Sequence, residues 1–196
     1  RTDDPGGWHA WLMRRLSLPP GSESQAELEW FRSRMLATLR ELDTVELPAN
    51  PLELRRLGGS LGTNFYFAFQ GHPDVDAARR YGRFCRRVME AAYSEAASSG
   101  TTRDPPIRIG YLTAHTTFGS IMSLFAGWLE HHDRSEFEIV LLPLTDERDL
   151  VTYSVLAHCD EVHPVPSDTE HAISTVSSAK VDILVFLEVG MHPLAF

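Results

Sequence analysis

Ile107-Arg-Ile-Gly-Tyr-Leu-Thr-Ala114 reads as a buried strand, and the segments that follow it alternate in kind. Ser120 to His132 carries Ile121, Leu124, Phe125, Trp128 and Leu129 at spacings of three and four, which is the period of an amphipathic helix. Phe137-Glu-Ile-Val-Leu-Leu-Pro-Leu144 is a second apolar strand. A helix over Asp149 to His158, a short strand over Glu161 to Val165, a helix over Thr169 to Ala179 and a strand over Val181-Asp-Ile-Leu-Val-Phe-Leu187 complete the series. Strands separated by helices of about ten residues are the mark of βαβ units, whose crossovers produce a parallel sheet covered on both faces. Residues 107–196 are therefore expected to form a Rossmann-like α/β lobe.

Upstream the pattern changes. Ser98 to Pro106 is rich in Ser, Thr, Gly and Pro, and residues 100–106 are assigned as a linker. Residues 1–99 read as a helical region. Ser24 with Glu27 is a capping-box pattern, after which Leu28, Phe31, Met35, Leu39 and Leu42 share one helical face; Pro48 and Pro51 are expected to end that helix. From Pro73 to Ala97, Tyr81, Phe84, Cys85, Val88 and Ala92 form a stripe, with Arg79, Arg83, Arg86 and Arg87 as a basic flank read as a solvated or partner-binding face. Between the two, Thr63-Asn-Phe-Tyr-Phe-Ala-Phe-Gln70 has no decisive period, and its rings are expected to be buried.

Composition narrows the function classes. The chain has 196 residues, of which 43% are apolar and 23% charged, the balance of an ordinary globular protein rather than a disordered or fibrous one. The net charge of −9 argues against nucleic acid as the main partner, since phosphate binding needs a basic field. No apolar run approaches the length of a membrane span, and none is flanked like a signal peptide. Two cysteines, Cys85 and Cys159, far apart in sequence, suggest no disulfide framework, and a reducing cytoplasm is the expected compartment. Because the chain starts at Arg1 and stops at Phe196 just after an apolar run, it is expected to be part of a longer protein.

In an open parallel sheet, ligands meet the loops at the carboxyl ends of the strands. Ala114-His-Thr-Thr-Phe-Gly-Ser120 leaves the first strand and enters a helix N-terminus with its free N–H groups; Glu188-Val-Gly-Met-His192 leaves the fourth. His115, Thr116, Thr117, Ser120, Glu188 and His192 are expected to converge on this edge. The first loop holds Gly119 alone, without G-x-G-x-x-G or a Walker motif, which argues against dinucleotide or ATP binding of those kinds. His158, Cys159 and His163 lack a second ligand pair for zinc, and His131-His-Asp133 reads as an exposed helix end. His115 has the side-chain chemistry of a general base near neutral pH.

Ile107 to His115, then His132-Asp-Arg-Ser-Glu-Phe-Glu-Ile139, Val181-Asp-Ile-Leu-Val185 and Gly190-Met191 together resemble the amino-terminal catalytic lobe of family 41 glycosyltransferases. That group contains O-linked N-acetylglucosamine transferases, SPINDLY-like fucosyltransferases and bacterial adhesin glucosyltransferases. Asn64-Phe-Tyr-Phe-Ala-Phe-Gln-Gly71 resembles the helical segment before the lobe in bacterial members, so the likeness spans roughly residues 50 to 196. It implies a GT-B architecture of two Rossmann-like lobes, with a nucleotide sugar as donor held mainly by the second lobe, a protein acceptor entering between them, and no metal or other cofactor. The first loop in bacterial relatives reads Ala-His-x-x-x-His-Ser/Thr-Val/Ile; here His115 matches the first histidine and Gly119 stands at the second, where glycine supplies no proton acceptor. Glu188-Val-Gly-Met-His192 resembles the Gly-Met pattern of the adhesin-glucosyltransferase branch.

The resemblance implies transfer of a sugar to a protein hydroxyl or amide with inversion. His115 is then the candidate base or orienter, and Thr116, Thr117, Gly119, Ser120, Glu188, Gly190 and His192 are the candidate substrate-binding residues. A chain ending at Phe196 stops before the second lobe and is expected to be inactive alone. The competing readings are a non-catalytic scaffold that keeps the lobe, favoured by Gly119, and a sugar-nucleotide epimerase of GT-B shape.

Overall fold

The computed structural model describes residues 7–94 and 104–195, which belong to two compact units, residues 1–97 and 98–196. The expected helix end at Ala97 and the expected linker residues 100–103 lie outside the described residues.

The first unit is helical: α1 (Gly7–Leu16), α2 (Gln25–Leu42), α3 (Pro51–Gly58), a 3-10 turn (Phe65–Gln70) and α4 (Val75–Ala92). Ser24 caps α2 by accepting from the Glu27 N–H at 3.2 Å, while the Glu27 carboxylate reaches past it to the Glu23 N–H at 2.8 Å. Met35, Leu39 and Leu42 from α2 meet Phe84 and Val88 from α4 in one core, as the helical spacing of both segments requires.

Three expectations for this unit change. α2 stops at Leu42, well before Pro48, and Arg87 from α4 donates to the carbonyls of Leu42, Asp43 and Val45 at 2.7–3.1 Å. The Leu42 carbonyl is one that a helix end leaves without an intrahelical partner, those of Asp43 and Val45 belong to the chain just beyond it, and a guanidinium also suits the negative end of the helix dipole. Arg87 is thus turned inward, whereas Arg79, Arg83 and Arg86 keep side chains 68%, 60% and 78% exposed, as a solvated face requires; Arg83 also pairs with Asp43, as does Arg80. The aromatic run differs too: Phe67 is buried, with Arg32 over its ring at 4.3 Å, whereas Phe65 (63%), Tyr66 (45%) and Phe69 (72%) are exposed. A short 3-10 turn presents only a narrow face to a core, and the remaining rings pack on one another, with Phe65 5.2 Å from Phe69.

The second unit is α/β: β1 (Ile107–Thr113), α5 (Ser120–Glu130), β2 (Phe137–Pro143), α6 (Leu150–Leu156), β3 (Glu161–Val162), α7 (Thr169–Ser178) and β4 (Ile183–Phe186). All pairings are parallel and the strand order is β3-β2-β1-β4. Alternation along β1 and β2 sends Ile109, Tyr111, Ile139 and Leu141 to one face, where Met122 and Leu129 of α5 and Val155 of α6 cover them. Leu112, Val140 and Leu142 face the other way, toward Ala172 of α7 and Ala179. β3 is shorter than expected. Pro164 and Pro166 lack the N–H a ladder needs, yet the His163 and Val165 N–H groups still donate to Leu141 and Pro143, so the chain stays extended beside β2. β4 is likewise trimmed to Ile183–Phe186, with Asp182 and Leu187 still donating to Arg108 and Leu112.

His132 is not part of an exposed helix end. Its Nε2 lies 2.6 Å from the Tyr111 hydroxyl and its ring sits between Tyr111 and Phe137; burial, helped by Arg134, pushes its pKa down. Near the starts of the strands, Arg108 pairs with Glu138 of β2 and, at 2.9 Å, with Glu161 of β3, whose carboxylate also lies 2.7 Å from His163 Nε2. Arg108 and then His163 hold the Glu161 carboxyl down at about 2. The folded protein thus binds this proton more weakly than the unfolded chain, where the carboxyl titrates near its ordinary value of about 4.3. The stabilisation is present above the ordinary value and is lost as pH falls toward 2. Acid titration of stability between those limits is expected to be shallower in Glu161→Gln than in the wild type; identical profiles would show that the pair contributes nothing.

Candidate functional site

The strand order reverses direction between β1 and β4, because the chain winds outward from β1 through β2 to β3 and then returns to β1's other side. In open α/β sheets, the crevice beyond the carboxyl ends at such a switch point is where ligands bind. The two loops singled out from the sequence, 114–120 and 188–192, follow β1 and β4 on either side of it.

A buried clasp joins them. Glu188, 5% exposed, accepts from the Thr113 hydroxyl at 2.7 Å through Oε2 and from the Ala114 N–H at 2.6 Å through Oε1. The Thr113 hydroxyl in turn accepts from the His115 N–H at 3.0 Å. One carboxylate therefore fixes the end of β1 and, through Thr113, the backbone that carries the candidate base. His115 is half-buried, and its Nε2 has no hydrogen-bond partner.

Further along the loop, Thr116 is buried, with its hydroxyl donating to the Glu147 carbonyl at 3.3 Å and its own carbonyl accepting from the Thr152 hydroxyl at 3.0 Å. Asp149 caps α6 through the Thr152 N–H at 2.9 Å and also accepts from the Phe118 N–H at 2.7 Å. These bonds, the one from Phe118 foremost, lower the Asp149 pKa. Thr117 is half-buried, and Ser120 is exposed at the start of α5, whose first turn has no side-chain cap. Gly119 is extended, with φ 170, and a Cβ added there meets only the Thr117 carbonyl oxygen at 4.0 Å, so the backbone and its surroundings accept a side chain's first carbon.

On the β4 side, Gly190 has φ 80, the left-handed region that favours glycine, and its N–H donates to the Ala195 carbonyl. The Ala195 N–H donates to the His192 carbonyl at 2.9 Å, folding the segment back on itself. His192 Nδ1 accepts from the Leu194 N–H at 3.2 Å, which places the proton of the neutral ring on Nε2.

Of the sequence candidates, Glu188, His115 and Thr116 are thus drawn into one hydrogen-bonded edge, with Glu188 and Thr116 turned inward. Thr117, Gly119 and Ser120 line the more open stretch of the same loop, and Gly190 and His192 shape the neighbouring one. Thr113 and Asp149, which are not among the sequence candidates, act as positioning groups. Asp149-Leu-Val-Thr152 is a capping-box spacing that marks the second of them; nothing local marks Thr113.

Among the described residues, no group of three His, Cys, Asp or Glu side chains is placed to hold a metal ion, and no helix is long and apolar enough to cross a membrane. Cys159 donates to the Val155 carbonyl, and burial pushes its thiol up to about 11.

No family model matches the chain, and no curated protein matches it. Among solved structures, it is similar to a point mutant of the Thermobaculum terrenum O-GlcNAc transferase, with a TM-score of 0.43 at 19% identity over 94% of this chain. This chain spans 45% of that protein's chain. A likeness so distant carries no residue's role from one protein to the other.

Proposed function

We infer that the second unit is the acceptor-side lobe of a sugar-transferring enzyme with two Rossmann-like lobes. The observation that carries this reading is the meeting of the 114–120 and 188–192 loops at the β1/β4 switch point, because these are the loops whose sequences resemble family 41 glycosyltransferases. The charge of the edge supports it. Asp146, Glu147, Asp149 and Glu188 lie there against Arg148 alone, a poor setting for a pyrophosphate, so the nucleotide sugar belongs on a second lobe.

The reaction is attack of a protein hydroxyl or amide on the anomeric carbon with inversion. The new bond forms at that carbon as its bond to the nucleotide diphosphate breaks, the diphosphate leaves, and the acceptor's proton passes to a base. His115 takes the proton or orients the acceptor, with its backbone held by Thr113 and Glu188. Thr117, Ser120 and His192 contact substrate, and the free N–H groups of α5 stabilise negative charge. Thr116 and Gly190 shape the loops that carry them.

A non-catalytic scaffold is the second reading, favoured by Gly119 and by the number of polar groups the edge already satisfies internally. The test is incubation of the full-length protein that carries this chain with common nucleotide sugars, followed by mass spectrometry for protein-linked sugar and for released nucleotide diphosphate. Transfer or donor hydrolysis is expected, and its absence with every donor overturns the enzyme. Gly119→His introduces a second histidine into open space; raised turnover identifies a degenerate catalyst, whereas unchanged turnover with donor bound supports the scaffold.

A further inference from the structure

α5 and α6 lie side by side over one face of the sheet, and their outer surface is apolar where an outer helix is normally polar. Leu124 and Trp128 on α5 are 69% and 53% exposed, Leu150 and Tyr153 on α6 are 87% and 61%, and Phe118, bonded through its N–H to Asp149 at the head of α6, is 80%. Within Ser120–Glu130 and Leu150–Leu156 the single charged residue is Glu130. α7, on the opposite face, shows the ordinary pattern, with Glu170, His171, Ser174, Ser177 and Ser178 outward. Exposed apolar side chains gathered on two adjacent helices in this way mark a binding surface.

Charge says what binds it. The second unit holds 5 of the 18 basic residues and 14 of the 27 acidic ones, so the whole net charge of −9 resides there. Along the chain, Glu130, Asp133 and Glu136 end or follow α5, and Asp146, Glu147 and Asp149 lead into α6. Arg134 is paired with Asp160, which leaves Arg148 as the remaining cation of these flanks. Two copies meeting through this face would bring like-charged rims together, which disfavours self-association. We propose that the outer face of α5 and α6 docks a basic, apolar segment of another protein, its aliphatic or aromatic side chains on Trp128, Leu124 and Tyr153 and its arginines or lysines against the acidic rims. This goes beyond the sugar-transfer reading and does not depend on it.

The probe is a fluorescein-labelled amphipathic helical peptide with leucines on one face and arginines on the other, titrated with the 196-residue chain by anisotropy. A peptide with the same leucines but glutamates in place of the arginines is the control. The arginine peptide is expected to bind at least about tenfold more tightly than the glutamate peptide, and to weaken as salt screens the rims. Leu124→Ser with Trp128→Ser is expected to weaken it about tenfold with an unchanged circular dichroism spectrum, and Leu150→Ser, on the other helix, to weaken it as well. Equal binding of the two peptides, or binding indifferent to both sets of substitutions, would overturn the proposal. So would a wild-type dimer in sedimentation that Trp128→Ser dissolves, since the occupant would then be a second copy.

Discussion

Glu188→Ala is expected to cost the second unit about 2–5 kcal/mol and to release the backbone of the 114–120 loop. Removing the carboxylate leaves the Ala114 N–H and the Thr113 hydroxyl without the acceptor each now uses at 2.6 and 2.7 Å. Each buried donor left unpaired costs about 1–3 kcal/mol. Glu188 is 5% exposed and Thr113 fully buried, so at the Thr113 hydroxyl water does not readily replace the lost oxygen. Glu188→Gln retains one acceptor oxygen and is expected to lose less. Denaturant midpoints measure the overall cost, and amide hydrogen exchange at Ala114 and His115 locates it. In Thr113→Val the hydroxyl is already gone, so adding Glu188→Ala is expected to cost less than in the wild-type background. A Glu188→Ala protein within about 0.5 kcal/mol of wild type, with unchanged exchange at Ala114, would show that the clasp does not hold the loop.

The second large effect is expected at Gly110, in the middle of β1. A Cβ there would lie 2.8 Å from Val181 Cγ1, closer than real side chains tolerate, and 3.0 Å from Leu142 Cδ1, a tight contact that requires Leu142 to give way. Leu142 is fully buried, and valine, branched at Cβ, has little freedom to turn away. Gly110→Ala is therefore expected to destabilise by about 1–3 kcal/mol, and Gly110→Val, with two further methyl groups, by more. Val181→Ala removes the nearest obstacle and is expected to recover part of the loss in Gly110→Ala. An alanine variant as stable as wild type would contradict the close approach of β1 to the chain entering β4.

What the sequence made legible follows from period. Ile109, Tyr111, Ile139 and Leu141 alternate along their strands, and Met122 and Leu129 recur on a helix face, so the elements and their apolar sides are written locally. The two loops at the carboxyl edge were found in the same way, from where strands end. Partners distant along the chain were not legible. Glu188 as a loop acid reads equally as a base, a hydroxyl-binding group or a solvated side chain; it is turned inward because Thr113, 75 residues earlier, offers a donor beside it. Arg87 reads locally as part of a solvated basic face, but the end of α2 and the turn after it, more than 40 residues away, supply it with three carbonyls. The rings of Phe65, Tyr66 and Phe69 carried the opposite error, since their hydrophobicity is a property of the residue and their exposure a property of the turn that holds them.

By itself the sequence determined that residues 107–196 alternate strand and helix, and hence that a parallel α/β lobe would form, because backbone periodicity and apolar spacing are short-range quantities. Only the tertiary structure decided which edge residues remain free to meet a ligand and which hold the edge together. A polar side chain's role depends on the donor or acceptor packed against it, and at this switch point that partner comes from a different strand.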